Sequence, residues 1–175
     1  MSVSLRTLRT EDMPATAAWR EAARPYLRTP FAVTVEQQQD FYARTVCHRH
    51  APHRYWAVVE DEQLVGIGGL TDIAWETGIA EISLVLNPDA CGHGVGSEGC
   101  RLLLGEAFDA MRLETVTAEV YHHNPALSFW KKMAARYEAD VVTLPRRKWW
   151  TGQLWGADYL SFSAMKWRGH VAEPS

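Results

Sequence analysis

Residues 91–97 read Cys-Gly-His-Gly-Val-Gly-Ser, a run in which glycine alternates with other residues just before an amphipathic segment. That segment repeats apolar residues at helical spacing from Leu103 to Met111, so the glycines precede the first turn of a predicted helix. A helix N-terminus offers unpaired backbone N–H groups and a positive dipole end, and glycine leaves room for a phosphate beside the backbone. The spacing favours phosphate binding over a tight turn without a ligand. The predicted binding residues are Cys91, Gly92, His93, Gly94, Val95, Gly96 and Ser97.

Residues 94–99 also satisfy the Gly-x-Gly-x-x-Gly pattern of dinucleotide-binding turns, which is the main rival interpretation. Glu114 and Glu119 lie about 20 positions further on, where that pattern places an acidic residue. A dinucleotide turn leaves its strand almost at once, whereas the sequence Asn-Pro-Asp-Ala at 87–90 intervenes here, and Glu119 lies within a predicted strand rather than at its end. We therefore favour a different phosphate ligand.

The elements that must position this loop alternate between strands and helices. Strands, recognised by alternating or β-branched residues, are predicted at 4–8, 55–60, 63–73, 79–86, 115–122, 139–144 and 158–167. Helices are predicted within 13–50, where Pro25 and Pro30 interrupt the pattern, after the glycines, and from Asn124-Pro125 onwards. This order predicts a single α+β domain over residues 1–175, with a mixed sheet.

The composition excludes several classes of protein. A chain of 175 residues with 47% hydrophobic residues can fill one core, and a net charge of −3 with a pI near 6.2 argues against nucleic-acid binding. No run approaches the ~20 apolar residues of a membrane span, and the N-terminus lacks the apolar stretch of a signal peptide. Three cysteines make a disulfide framework improbable, so we expect a cytoplasmic protein with no membrane partner.

Two segments carry a resemblance to a known family. Residues 86–97 resemble the acetyl-CoA motif of GNAT acetyltransferases, whose loop reads Gln or Arg, two variable residues, Gly, one variable residue, then Gly or Ala. Cys91 stands where Gln or Arg is usual, which removes a side chain but keeps the backbone donors. Residues 124–133 resemble the family's asparagine followed by a helix, and Asn124 matches that asparagine. The chain is thus identified as a GNAT superfamily member, in the branch similar to ribosomal-protein N-terminal and spermidine acetyltransferases.

The resemblance implies a fold and a reaction. The fold is a mixed, mostly antiparallel central sheet, splayed at the cofactor strands and flanked by helices. The co-substrate is acetyl-CoA, with no metal, and the acetyl group passes directly to a primary amine, which we expect to belong to a small molecule. Protein N-terminal or lysine acetylation and a non-catalytic CoA-binding module are the alternatives, and family analogy also admits a homodimer.

The resemblance assigns further residues to the cofactor. Backbone groups of Leu84, Val85 and Leu86 would bond the pantetheine and polarise the acetyl carbonyl, as an oxyanion-hole donor does. Asn124 and the helix carrying Trp130 flank the cofactor. Many relatives use a tyrosine as the acid for the leaving thiolate at the position of Trp130, and indole cannot serve as that acid. Tyr121, Tyr137 or water would take its place, or no specific acid is used.

The attacking amine must be neutral, so a base has to take up its proton. Glu81 is the first candidate, since it matches a glutamate on that strand in relatives that acetylate polyamines or ribosomal-protein N-termini. Burial among Ile79, Ile82 and Leu84 would favour its neutral form and suit it to proton transfer. His122 and His123 are alternatives, because neutral imidazole can relay protons. The alternatives without a catalytic role are that Glu81 is an ordinary surface or salt-bridged glutamate and that the two histidines only end a strand.

Two weaker signals have structural explanations that we favour. Cys47, His48, His50 and His53 hint at a metal but lack zinc spacing, so a polar helix end is preferred. Residues 146–155 concentrate basic and tryptophan side chains that could stack on an acceptor or on bases, but a covering hairpin or dimer contact is preferred. By the resemblance, Asp158 would help to shape the acceptor side.

Overall fold

The computed structural model describes residues 2–172, in which strands and helices alternate. Seven strands run in chain order. They are β1 Val3–Thr7, β2 Arg54–Glu60, β3 Gln63–Ala74, β4 Ile79–Leu86, β5 Thr115–Tyr121, β6 Asp140–Trp150 and β7 Gln153–Ser163. The five α-helices are α1 Met13–Ala23, α2 Val35–Phe41, α3 Val95–Gly105, α4 Leu127–Arg136 and α5 Ala164–Ala172. Short 3-10 or π turns extend several of these helices.

All seven strands form one sheet in the order β1-β2-β3-β4-β5-β7-β6. Every neighbouring pair is antiparallel except β4 and β5, which run parallel. This parallel pair is joined by α3, as a parallel connection requires a crossover. The predicted α+β class, with a mixed and mostly antiparallel sheet flanked by helices, is confirmed.

Helices cover both faces of the sheet, and each face has its own core. On one face, α3, α4 and α5 pack on the central strands through fully buried side chains that include Leu70, Leu104, Phe108, Val116 and Phe162. On the other face, α1 and α2 cover β2, β3 and β4 around Met13, Ala57, Ile67 and Val85. Residues 80 and 82 of β4 point to the first core, so Glu81 points to the α1 face.

Several element ends differ from the sequence prediction, since β6 continues to Trp150 and β7 begins at Gln153, where the predicted strands cover only 139–144 and 158–167. The last strand ends at Ser163, and residues 164–172 form α5, whereas the sequence predicts strand up to residue 167. Ala164 and Trp167 are buried in the first core, so tertiary packing stabilises a helix there despite a weak local signal. The helix predicted from Asn124 begins at Leu127, because Asn124 and Pro125 form the turn that leads into it.

Among the helices within residues 2–172, none has both the length and the apolar character that crossing a bilayer requires.

Candidate active site

The sheet opens between β4 and β5. Three register pairs join these strands, and Glu81 opposite Thr117 is the last of them. Beyond it, residues 82–86 remain paired with β3 on one side but have no strand partner on the other within the described chain. The two strands therefore diverge from Glu81 onwards, which confirms the predicted splay and leaves the backbone N–H and C=O groups of Leu84 and Leu86 facing the opening. Those of Val85 point to β3, because alternate residues of a strand bond to opposite sides, so the predicted contribution of Val85 backbone groups to a ligand is wrong.

An open cavity of about 270 Å³ occupies this divergence. Its lining combines residues of β4, β5, the segment after α1 and the start of α4. Leu84, Asn124 and Trp130 of the predicted cofactor set lie in that lining, together with the predicted base Glu81. The structure thus brings residues that are far apart in sequence to one place.

The glycine loop follows β4 and leads directly into α3. Gly92 and Gly94 have φ values of +90° and +91°, and a Cβ atom at either position would meet no atom within 4 Å. These glycines are therefore required by backbone conformation and not by crowding, and the space beside the loop stays open. Gly94 caps α3, whose first-turn N–H groups have no intrahelical acceptor. Pyrophosphate binding by this loop stays a prediction, and the open backbone is compatible with it.

The side chains of the loop leave this space accessible. Cys91 and His93 are exposed, Val95 is buried beneath the loop, and Gly96 and Ser97 are half-buried in the first turn of α3. The Cys91 thiol lies 3.6 Å from the carbonyl oxygen of Asn87, within its own turn. Cys91 therefore replaces the usual long polar side chain without blocking the loop.

Asn124 and Trp130 form the wall on the β5 side of the cavity. The Asn124 side-chain oxygen accepts the N–H of Ala126 at 2.9 Å, which fixes the turn into α4 and leaves its amide –NH2 group to donate. Trp130 is buried against Phe129, with ring centroids 5.1 Å apart. Both residues thus lie in the cavity wall, and their role beside the cofactor stays a prediction.

A second carboxylate lies beside Glu81. Glu119 stands two residues beyond Thr117 on β5, so it shares the face of the sheet that carries Glu81. One guanidinium nitrogen, Nη2 of Arg28, donates to Oε1 and Oε2 of Glu81 at 2.9 and 3.0 Å and to Oε2 of Glu119 at 3.0 Å. A pair of carboxylates bridged by an arginine therefore forms the floor of the cavity.

Arg147 pairs with Glu119 from the β6–β7 hairpin. Its Nε donates to Oε1 of Glu119 at 2.6 Å, and the Glu119 side chain is 5% exposed. Burial alone would raise the pKa of Glu119, but the hydrogen bonds from Arg147 and Arg28 outweigh it and hold the pKa below its ordinary value. Glu119 therefore stays ionised at neutral pH.

Comparison with known proteins places the chain in a family. Residues 2–128 match the sequence profile described as the Acetyltransferase (GNAT) domain. That span covers the splayed strands, the glycine loop and Asn124. The chain belongs to the GNAT acetyltransferase family. It is an acetyltransferase that uses acetyl-CoA. No curated protein matches the sequence.

Solved GNAT structures agree with the fold. A spermidine N-acetyltransferase from Vibrio cholerae, crystallised with CoA and spermine, superposes with a TM-score of 0.83 at 17% identity, over 95% of this chain and 98% of that chain. Mutant forms of the spermidine/spermine N-acetyltransferase SpeG from the same organism give a TM-score of 0.82 at 16% identity, over 97% of this chain and 98% of that one. At such identities the likeness shows the GNAT fold.

The two histidines after β5 lie on opposite sides of the GNAT sheet. His122 is outside the cavity lining, and its Nε2 lies 3.0 Å from Oδ1 of Asp158, a buried carboxylate that also accepts from Thr143 and pairs with Lys131 of α4. His123 lies on the α1 side and bonds the carbonyl oxygen of Pro25 at 2.9 Å through Nε2. The structure therefore does not bring His122 to Glu81, and Asp158 lies with it on the α4 side.

Tyr121 and Tyr137, the two tyrosines considered as acids, also have different surroundings. Tyr121 lines the cavity next to Glu119, whereas Tyr137 is buried in the first core against Trp167. Burial raises the pKa of both hydroxyl groups, so both stay protonated at neutral pH. Of the two, Tyr121 is the one that GNAT chemistry in this cavity could use.

The remaining predicted groups are accounted for by local structure. Within residues 2–172, no cluster of three or more histidine, cysteine or acidic side chains converges as a metal site would. His53 lines the cavity and its Nδ1 accepts the N–H of Asp72 at 3.1 Å. Residues 140–163 form the covering β6–β7 hairpin that the sequence favours, although the sequence does not show that Arg147 reaches Glu119.

Proposed function

We propose that this enzyme transfers the acetyl group of acetyl-CoA directly to a primary amine of a small molecule. The observation that carries the proposal is the opening between β4 and β5, which has two carboxylates, Glu81 and Glu119, at its closed end, while the glycine loop follows the far end of β4. From Leu86 to Glu81, β4 spans roughly 17 Å at the usual strand rise, a length that an extended pantetheine arm can follow.

The loop residues 91–97 would hold the pyrophosphate through backbone N–H groups and the N-terminus of α3. Leu84 and Leu86 would bond the pantetheine by their free backbone groups, and Asn124 and Trp130 would flank it. Acetyl-CoA supplies the acetyl group in an activated thioester. A backbone N–H of the 84–86 segment would donate to the thioester carbonyl and stabilise the negative charge that develops on it.

Glu81 would remove a proton from the acceptor's ammonium group, either directly or through one water, and so produce the neutral amine that attacks. The new N–C bond forms as the thioester C–S bond breaks, and the released thiolate takes a proton. Tyr121 would donate that proton; in support of this role, its side chain lines the cavity beside Glu119 and burial raises its pKa, so that it stays protonated. The nitrogen then loses its second proton through water to the Tyr121 phenolate, which completes the amide and restores the tyrosine, and Glu81 releases the first proton to solvent.

Support for a small acceptor comes from the cavity and from the neighbours. The cavity is open and has acidic groups at its floor, and the solved neighbours act on spermidine or spermine. The free state of Cys47, Cys91 and Cys100 agrees with the prediction of a cytoplasmic enzyme. A homodimer stays a prediction.

The proposal is tested by following CoA thiol release from acetyl-CoA with a panel of acceptors. The panel contains simple alkylamines, di- and polyamines, and peptides with a free N-terminus or a single lysine. We expect release with small amines and little with peptides. A preference for peptides would contradict a small acceptor and indicate protein acetylation instead. The absence of CoA release with any amine would contradict the proposed reaction.

A further inference from the structure

Arg28 occupies the point between the two cavity carboxylates. Its Nη2 makes three contacts of 2.9 to 3.0 Å, two with Glu81 and one with Glu119. A guanidinium Nη2 has two N–H bonds for these three oxygens, whereas a primary ammonium group has three. All three oxygens thus lie within hydrogen-bond distance of one nitrogen position, which has fewer N–H bonds on Arg28 than an ammonium group would bring.

We infer that this point is the ammonium subsite for the acceptor and that Arg28 is an internal stand-in which the acceptor displaces. The inference rests on the proposed function and names the first step of acceptor recognition. An incoming ammonium group would replace Nη2, bond Glu81 and Glu119, and then give one proton to a Glu81 oxygen.

The charges of the cluster agree with such an exchange. Two carboxylates, Glu81 and Glu119, face two arginines, Arg28 and Arg147, so the resting cluster is neutral. When Arg28 leaves, two negative charges remain against Arg147 alone. The net charge of −1 that results matches one ammonium group, which selects a cationic amine over a neutral molecule.

The backbone around Arg28 is fixed, so its side chain can leave without moving the segment. Lys148 donates to the carbonyl oxygen of Pro25 at 2.9 Å and also to that of Leu27, and His123 bonds Pro25 from a second side. Lys148 lies 5.1 Å from the ring centre of Tyr121, which ties this segment to β5. The Arg28 side chain itself is 56% exposed, so it can rotate into water.

The exchange predicts that Arg28 competes with the acceptor. A partly exposed ion pair of this kind contributes up to about 1 kcal/mol, so its removal should lower the KM for an amine acceptor about fivefold. The test compares the parent with Arg28→Ala and with Arg28→Met, which keeps an apolar stem. Arg24→Ala, which removes a half-buried arginine that pairs with Glu21 and donates to the carbonyl oxygen of Pro30 on the same segment, is the matched control.

The decisive readout is independent of turnover. n-Butylammonium should raise the melting temperature of Arg28→Ala and Arg28→Met more than that of the parent or of Arg24→Ala. In the double variant Arg28→Ala/Glu119→Gln, n-butylammonium should no longer raise the melting temperature. The KM for amines should fall while that for acetyl-CoA is unchanged.

A higher amine KM in the Arg28 variants would show that Arg28 binds the acceptor, and equal n-butylammonium stabilisation in all proteins would show that it is structural only. Either result overturns the inference. If no amine is acetylated but n-butylammonium still stabilises the Arg28 variants more, the proposed function fails and the ammonium subsite stands.

Discussion

Glu81 of β4 lies opposite Thr117 of β5 at the last register position that joins these two strands. The same residue is therefore the end of the parallel pairing and the beginning of the cavity. This position sets Glu81 in the cavity lining, on the sheet face that carries Glu119 and beside the route proposed for the cofactor.

Replacing Glu81 by Gln should lower kcat/KM for the amine roughly 10²-fold, because general base catalysis usually contributes at least that much. The difference in kcat/KM between the parent and Glu81→Gln should become smaller as the pH rises, because more of the free amine is then already neutral. The measurement is the pH profile of kcat/KM for parent and variant. The companion variant His122→Asn should stay within about twofold of the parent, since His122 lies outside the cavity. Equal profiles for Glu81→Gln and the parent would refute the base role.

Tyr121→Phe should lower kcat about tenfold, less than a general acid usually contributes, because a CoA thiolate leaves readily. Tyr137→Phe serves as the comparison, because the Tyr137 hydroxyl is buried without a hydrogen-bond partner within the described chain. Its removal should leave kcat unchanged and stability the same or slightly higher. Steady-state kinetics together with urea unfolding of both variants make the check. If Tyr121→Phe has the kcat of the parent, Tyr121 is not the acid, and water protonates the thiolate.

Gly94→Ala should raise the KM for acetyl-CoA several-fold, because a left-handed φ costs a non-glycine residue about 1–2 kcal/mol. A second glycine variant, Gly169→Ala, should make the folded protein more stable. Gly169 lies within α5, where an added Cβ would meet no atom within 4 Å, so alanine there should stabilise the helix by about 0.5–1 kcal/mol. Titration with acetyl-CoA and thermal unfolding separate the two effects. An unchanged KM in Gly94→Ala would argue against this loop as the pyrophosphate site.

The three cysteines should react with iodoacetamide to different extents. Cys47 and Cys91 are exposed, whereas burial raises the pKa of the Cys100 thiol to about 12. We expect the first two to be alkylated at pH 8 in the folded protein and Cys100 only after unfolding. Saturating CoA should protect Cys91 in the glycine loop and leave Cys47 as reactive as before. Peptide mapping by mass spectrometry gives both results, and equal labelling of Cys91 with and without CoA would contradict the loop assignment.

Glu119→Gln should destabilise the fold by about 2 kcal/mol at pH 7, since it removes a buried carboxylate bonded to two arginines. The pKa of folded Glu119 is lowered, so its contribution is complete above the unfolded value of about 4.3 and is lost as the pH falls through the folded pKa. Urea unfolding should show that the difference in unfolding free energy between Glu119→Gln and the parent is smaller near pH 3 than at pH 7. The control Glu76→Gln, at an exposed position, should have the stability of the parent at both pH values. A difference that is independent of pH would contradict the stated cause.

Much of the fold could be predicted from the sequence because its signals are local. Alternation and turn residues gave β4 its bounds at Ile79–Leu86, and Asp61-Glu62 marked the hairpin between β2 and β3. Helix α5 was missed because its residues show weak amphipathicity and are held by tertiary contacts of Trp167 with the core.

The conformation of the glycine loop was predictable for the same reason, since Gly92 and Gly94 act through their own backbone conformation. Apart from Glu81, the charged cluster at the closed end of the cavity was not predictable. Glu119 shares a face with Glu81 only through the parallel register of β4 and β5, and Arg28 reaches both from a segment more than 50 residues away in sequence, at separations of 53 and 91 residues. The available signal was that Thr117, Glu119 and Tyr121 alternate along β5. This alternation predicts that their side chains share one face of the sheet, but it does not predict which strand lies beside them.

The central claim is direct transfer from acetyl-CoA to an amine in the opening between β4 and β5. The most direct test is a single turnover with isotopically labelled acetyl-CoA and a small amine, in which intact-mass spectrometry follows the enzyme while the acetylated amine and released CoA are counted. The account predicts one labelled amide for each CoA released, with no labelled enzyme at any time, and the same outcome for Cys91→Ala. A labelled acetyl-enzyme that forms before the amide, or a thioester left intact in the presence of every amine, would contradict it.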